Sequence, residues 1–180
     1  MRRIVRKWFW VWDWEKEEKW LNEMSAKGLQ LCGVGLCKYV FDEGLPGEYY
    51  YRTEMLKTHP YSAESSQYIR FLEETGIEFI GSVFRWVYLR KKADDSGFDI
   101  HSDLDSRIKH LNRILIFIGA IGGMNLTIGA INVIPMLLSG HENIQPFGFL
   151  NLALGLLILT GWIRVYFKAR KLKKEKILHE

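Results

Sequence analysis

The chain has 180 residues, 48% of them apolar, and a formal net charge of +4, which leaves room for at most one modest globular unit beside any membrane segment. The charge is uneven: residues 1–106 hold 15 Lys and Arg against 18 Asp and Glu, and residues 107–180 hold 10 against 3. A mildly acidic first part and a basic tail do not build one coherent basic face, which argues against nucleic acid as a partner.

The opening MRRIVRKWFW lacks the apolar run and the small-residue cleavage site of a secretory leader, which predicts a cytosolic N-terminus. RRIVRKWFWVW alternates like a strand. Asp13 is then placed to cap a helix over WEKEEKWLNEMSAK, ended by Gly28 in a left-handed cap. LQLCGVGLCKYVF reads as a second strand, DEGLPG as a turn and EYYYRTEML as a third strand. Ser62 caps AESSQYIRFLEET, Gly76 ends it, and EFIGSVFRWVYLRK closes as a last strand.

That order predicts an α+β fold, a ferredoxin-like βαββαβ sandwich in which two helices cover one face of a four-stranded antiparallel sheet. On such strands Trp8, Trp10 and Trp12 share one face, as do Tyr49 and Tyr51, Tyr39 and Phe41, and Phe84, Trp86 and Tyr88. Phe9, Val11, Val83, Val87 and Leu89 are then left to pack under the helices, and the aromatic rows line the face opposite. Three readings of that face stand open. The linker, the stalk or a second copy buries it, a partner or hydrophobic ligand stacks on it, or it seats on the bilayer interface. The candidate binding residues are Trp8, Trp10, Trp12, Tyr49, Tyr51, Trp86 and Tyr88.

Cys32 and Cys37 have no second cysteine pair and no nearby histidine, so no metal site is expected. On one strand their odd separation would put them on opposite faces and keep them reduced. Glu15, Glu17, Glu18 and Glu23 alternate with Lys16, Lys19 and Lys27 on one helix, as a solvated, ion-paired face does. Arg52, Glu54 and Arg85 read as an ion-pair network across the sheet, in preference to an anion site. The five histidines are scattered, and phosphate-loop, zinc-protease and serine-hydrolase motifs are absent from the sequence. No catalytic residue and no cofactor is expected.

KKADDSGFD has the composition of a linker, and SDLDSRIKHLNRIL starts a helix with Ser102 as N-cap and Asp103 and Asp105 in its first turn. Ile100, Leu104, Ile108 and Leu111 fall on one helical face. The uncharged run from Ile114 to Leu138 is long enough to cross a bilayer, and Phe147 to Phe167 spans as well if Arg164 snorkels. SGHENIQP between them has no Lys or Arg, whereas Arg107, Lys109 and Arg113 precede the first span and a basic cluster follows the second. The positive-inside rule puts both termini in the cytoplasm. Gly119 and Gly123 form a small-x-x-x-small pair, and Asn125, Asn132 and Asn151 are amides in need of partners. The expected domains are residues 1–92, a linker and stalk over 93–110, a transmembrane hairpin over 111–168 with spans near 114–138 and 147–167, and a basic tail over 169–180.

KWFWVWDWEKEEKWLNEMSAKGLQL, the YVF and GEYYYR block and EFIGSVFRWVYLRK together resemble the bacterial family catalogued as domain of unknown function 2812, over residues 5 to 92. Leu29 departs from the aromatic that often follows the helix-ending glycine there. The resemblance implies hydrophobic spans after the domain and, from genes lying beside transcription regulators, a role in regulation or envelope response. The expected function is a non-enzymatic regulatory or sensory adaptor in the bacterial inner membrane. Its expected partners are membrane lipid and a protein such as a transcription regulator or transporter; a homodimer is compatible with the pattern. The alternative is an accessory subunit of an export or resistance complex.

Overall fold

In the computed structural model, which describes residues 2–93, 97–100, 103–139 and 146–179, the chain divides into two compact units, Met1–Asp103 and Leu104–Glu180. The expected N-cap at Ser102, the linker residues 94–96 and the outer loop at 140–145 lie outside the described residues.

The first unit has six strands: β1 (Arg3–Arg6), β2 (Leu29–Gly35), β3 (Lys38–Glu43), β4 (Tyr49–Met55), β5 (Ile77–Val83) and β6 (Trp86–Lys92). Helix α1 (Trp14–Ala26) follows β1, and α2 (Ala63–Glu74) follows β4. The strands form two antiparallel three-stranded sheets, ordered β1-β3-β2 and β4-β6-β5, in place of the expected single sheet of four. Two of the expected strands are hairpins: LQLCGVGLCKYVF folds back at Leu36–Cys37, and EFIGSVFRWVYLRK at Phe84–Arg85. Neither turn carries the Asn-Gly or Asp-Gly that announces a two-residue loop. Cys37 and Phe84 instead take positive φ, 54° in each case.

The six strands are two βαββ units in tandem. Gly28 and Gly76 end the two helices at φ 78° and 83°, and a β-bulge precedes Gly33 in β2 and Gly81 in β5. Leu29 pairs with Glu43 as Ile77 pairs with Lys91, and Gly35 with Lys38 as Val83 with Trp86. Each position and its counterpart are 48 residues apart. The edge strands β2 and β5 lie beside one another, so that a Cβ on Gly81 would sit 3.1 Å from Val34 Cγ2.

Both faces of β6 are therefore covered. Val87 and Leu89 pack with Ile69 and Leu72 of α2, and this cluster also buries Leu56 and Phe98, the latter from the stretch expected to be linker. On the other face Tyr88 joins Tyr51 of β4 in a second core with Leu21 of α1, Leu31 of β2, and Tyr39 and Phe41 of β3. What covers the aromatic face of the second sheet is the first βαββ unit.

Helix α1 also closes an edge. Asn22 donates its amide to the Tyr51 carbonyl at 3.1 Å and accepts from the Tyr51 N–H at 2.9 Å, and Glu18 accepts from the Thr53 N–H at 2.7 Å. Two side chains four apart on one helical face thus stand in for a neighbouring strand along β4. The Ser62 cap of α2 is present, its hydroxyl accepting from the Ser65 N–H. Asp13 stands at the N-cap of α1 without a side-chain capping bond; its carboxylate is instead 2.6 Å from Lys16 Nζ.

The second unit is a pair of long helices, α3 (Leu104–Ser139) and α4 (Pro146–His179), each long and apolar enough to cross a membrane. At about 1.5 Å per residue each runs roughly 50 Å, well beyond a hydrocarbon core of about 30 Å. Glycines bring the helices together: Cβ atoms on Gly122, Gly129 and Gly155 would lie 3.0, 2.6 and 2.7 Å from Ile158, Leu152 and Leu126. Of the small pair expected from sequence, Gly119 faces α4, where the Trp162 indole N–H donates to the Leu115 carbonyl at 3.2 Å, and Gly123 has open space before it. Further toward the end where α3 begins and α4 finishes, Asp105 and Lys176 are paired at 2.8 Å.

Candidate functional site: the tryptophan run and the buried acid

The tryptophans do not form a strand ladder. Strand β1 stops at Arg6, residues 7–10 continue without pairing as a strand, and Val11–Asp13 make one 3-10 turn closed by the Asp13 N–H on the Trp10 carbonyl at 2.8 Å. The turn breaks the two-residue period and lets the rings stack on each other. Trp10 and Trp12 lie parallel with centroids 4.9 Å apart and an interplanar angle of 4°, and Trp8 meets Trp10 edge-on at 5.3 Å. Trp8 is 58% exposed, and Trp10 and Trp12 are half-buried. Phe9 turns the opposite way onto Trp20 at 5.6 Å, with the Lys7 ammonium over both rings. Trp14 opens α1, is buried, and stacks with Trp86 at 6.4 Å.

The tyrosines of the expected site separate from the tryptophans. Tyr51 and Tyr88 are core residues, 1% and 7% exposed. Their position follows from the second βαββ unit packing against the first, which a single four-stranded sheet does not provide. The Tyr51 hydroxyl donates to Gln30 Oε1 at 3.0 Å and accepts from the Leu31 N–H at 2.9 Å. Tyr49 is half-buried beneath the Arg90 guanidinium, 4.2 Å from its ring centroid, while Arg90 also pairs with Glu78 at 2.7 Å. Trp86 remains half-buried beside Trp14.

Sequence reasoning missed Glu17. It was expected on a solvated face, yet it is 8% exposed, and its Oε1 accepts hydrogen bonds from both the Tyr39 and Tyr88 hydroxyls at 2.6 Å. Burial raises its pKa above the ordinary carboxylate range against the opposing pull of the two hydroxyls. The same burial, with the acid alongside, raises both tyrosines. A signal was present in the spacing: Trp14, Glu17, Leu21 and Ser25 are the buried positions of α1 and recur at helical intervals. In the other expected polar cluster, Arg85 gives both its Nε and one terminal nitrogen to the Leu56 carbonyl at 2.9 and 2.6 Å, and Glu54 accepts from the Tyr68 hydroxyl at 2.8 Å. Cys32 and Cys37 are free thiols.

These arrangements offer two distinct chemistries: a part-exposed indole stack able to take a flat, apolar or cationic group, and a sealed carboxyl and phenol cluster that fixes the packing of α1 on β3 and β6. The sequence pattern of a family described as a protein of unknown function (DUF2812) matches residues 13–121. The match takes in Glu17, Tyr39, Tyr88 and Trp86 and reaches into α3, and it starts after Trp8, Trp10 and Trp12. No curated protein matches the chain. No solved structure matches it either.

Proposed function

We propose, from the premise that this chain belongs to the DUF2812 family, that it is a membrane-anchored, non-enzymatic regulatory or sensory adaptor of the bacterial inner membrane. The single observation that carries this reading is the Trp8, Trp10 and Trp12 stack, a part-exposed aromatic surface. Stacked indoles offer contact area at little entropic cost, with an N–H at the rim, as recognition surfaces do. The receiving surface comprises Trp8, Trp10 and Trp12 together with Trp86, which stacks on the buried Trp14. Tyr51 and Tyr88 act in it only as support.

Two helices of spanning length and composition supply the anchor. The basic residues in the first turns of α3, ahead of its apolar run, and along the end of α4 favour cytoplasmic termini by the positive-inside rule.

The test is crosslinking of the full-length chain in its native membranes, with wild type and a Trp8→Ala, Trp10→Ala double variant compared. A partner crosslinked through residues 8–12 in wild type and lost in a variant with unchanged hydrogen exchange supports the adaptor. Undiminished capture by that folded variant rejects the tryptophan surface.

A further inference from the structure

A polar side chain inside an apolar span has to find its partner in protein, because hydrocarbon offers none. Asn125, Asn132 and Asn151 each donate one amide N–H to the carbonyl four residues back, at 2.8, 2.7 and 2.8 Å. Among the described residues those are the hydrogen bonds these side chains make, so each amide keeps an acceptor oxygen and a second N–H to satisfy. All three are half-buried at the flank of the helix pair.

Their placement on α3 is regular. Ile121, Asn125, Ile128 and Asn132 follow at intervals of four, three and four, the spacing of a coiled-coil seam with asparagine at one core position and isoleucine at the other. Ile121 and Ile128 are exposed. Helix α3 meets α4 through Gly119, Gly122, Leu126 and Gly129, and at about 100° per residue the seam is turned roughly a quarter of a circle from that contact. Asn132 borders it, since a Cβ on Gly148 would lie 2.9 Å from the Asn132 Cβ. Asn151, one turn beyond Gly148, therefore stands close to the same depth.

We infer that this face of α3 is the seam of a homodimer formed within the membrane. A second copy lays its α3 parallel against the first, and Asn125 and Asn132 each hydrogen-bond to their own counterparts. The occupant is a second copy because a two-fold axis along the membrane normal brings every residue opposite itself at its own depth. An unrelated helix would have to present amides at both depths. The inference rests on α3 and α4 spanning the membrane and is independent of the tryptophan surface.

The test uses the full-length chain, with Cys32→Ser and Cys37→Ser as background, in liposomes. Ile128→Cys on the seam is expected to give a disulfide-linked dimer on oxidation, and Ile134→Cys on the opposite flank to remain monomeric. In a separate energy-transfer titration, Asn125→Leu with Asn132→Leu is expected to raise the protein-to-lipid ratio at half-dimerisation roughly tenfold. Leucine makes the span more apolar, so insertion is preserved. Recovery of wild type in the soluble fraction would overturn the spanning premise. An inserted chain that stays monomeric, crosslinks equally well through residue 134, or dimerises as strongly without the two amides would overturn the seam alone.

Discussion

Glu17 shows how one side chain ties sequence to fold and where local spacing stops being informative. The helical phase set by Trp14, Leu21 and Ser25 brings position 17 inward. The phenols that receive it, Tyr39 and Tyr88, come from strands 22 and 71 residues away, and no local spacing announces them. Because burial raises the folded-state pKa of Glu17, the folded chain holds this proton more tightly than the unfolded chain. Its contribution is therefore intact below the unfolded pKa and is lost as pH rises through the folded value. Glu17→Gln, which does not titrate, should gain stability relative to wild type as pH is raised from about 4 to 8, read by denaturant melts of the full-length chain in micelles. A relative loss over that range would mean the two hydroxyls hold Glu17 as a carboxylate. Tyr88→Phe removes one of the donors and should cost about 1–3 kcal/mol in the same melts. Trp10 and Trp12 teach a related lesson: their alternation was legible, but the 3-10 turn at Val11–Asp13 changes a shared strand face into a ring stack.

At the scale of elements, both helices of the first unit, their glycine ends and the position of most strand residues were legible from apolar spacing and caps. The two hairpin turns were not, because Leu36–Cys37 and Phe84–Arg85 lack the residues that usually mark a reversal. Holding a non-glycine residue in the left-handed region costs about 1–2 kcal/mol. Phe84, 72% exposed at φ 54°, should accordingly gain about 1 kcal/mol when replaced by glycine, unless its ring is held by a partner in the membrane-bound state. Thermal denaturation with and without native membrane extract separates those outcomes. The closure of β4 by α1 makes a further prediction. Asn22→Ala strips the side-chain partner from the Tyr51 N–H and leaves the Tyr51 C=O to the Arg52 guanidinium alone, and should cost about 1–3 kcal/mol while speeding hydrogen exchange at the Tyr51 amide. In the helix pair, a Cβ on Gly129 would lie 2.8 Å from the Leu152 backbone nitrogen. Gly129→Leu should therefore force α3 from α4 and increase exchange along both, whereas Gly123→Leu should not.

For the whole molecule, the pair of helices long and apolar enough to cross a membrane was the most legible feature, because an uncharged run of spanning length announces itself within one stretch of sequence. The α+β class of the first unit was legible too, and its division into two sheets was not: the Gly28 and Gly76 pattern recurs at 48 residues, but few side chains recur with it. At this scale the adaptor and the complex-subunit readings differ in one result. Exchanging residues 104–180 for an unrelated two-helix anchor of the same topology should leave the adaptor's partner capture intact and abolish the activity of an export-complex subunit, as scored by crosslinking and by a resistance phenotype. The tandem βαββ arrangement also makes its two halves unequal. They share strand order, bulges and pairing registers, yet the positions 48 residues beyond Glu17 and Asn22 are Ser65 and Arg70. The buried acid and the edge-closing amide therefore belong to the first half alone, and a second copy of either half could not take the other's place without losing or duplicating them.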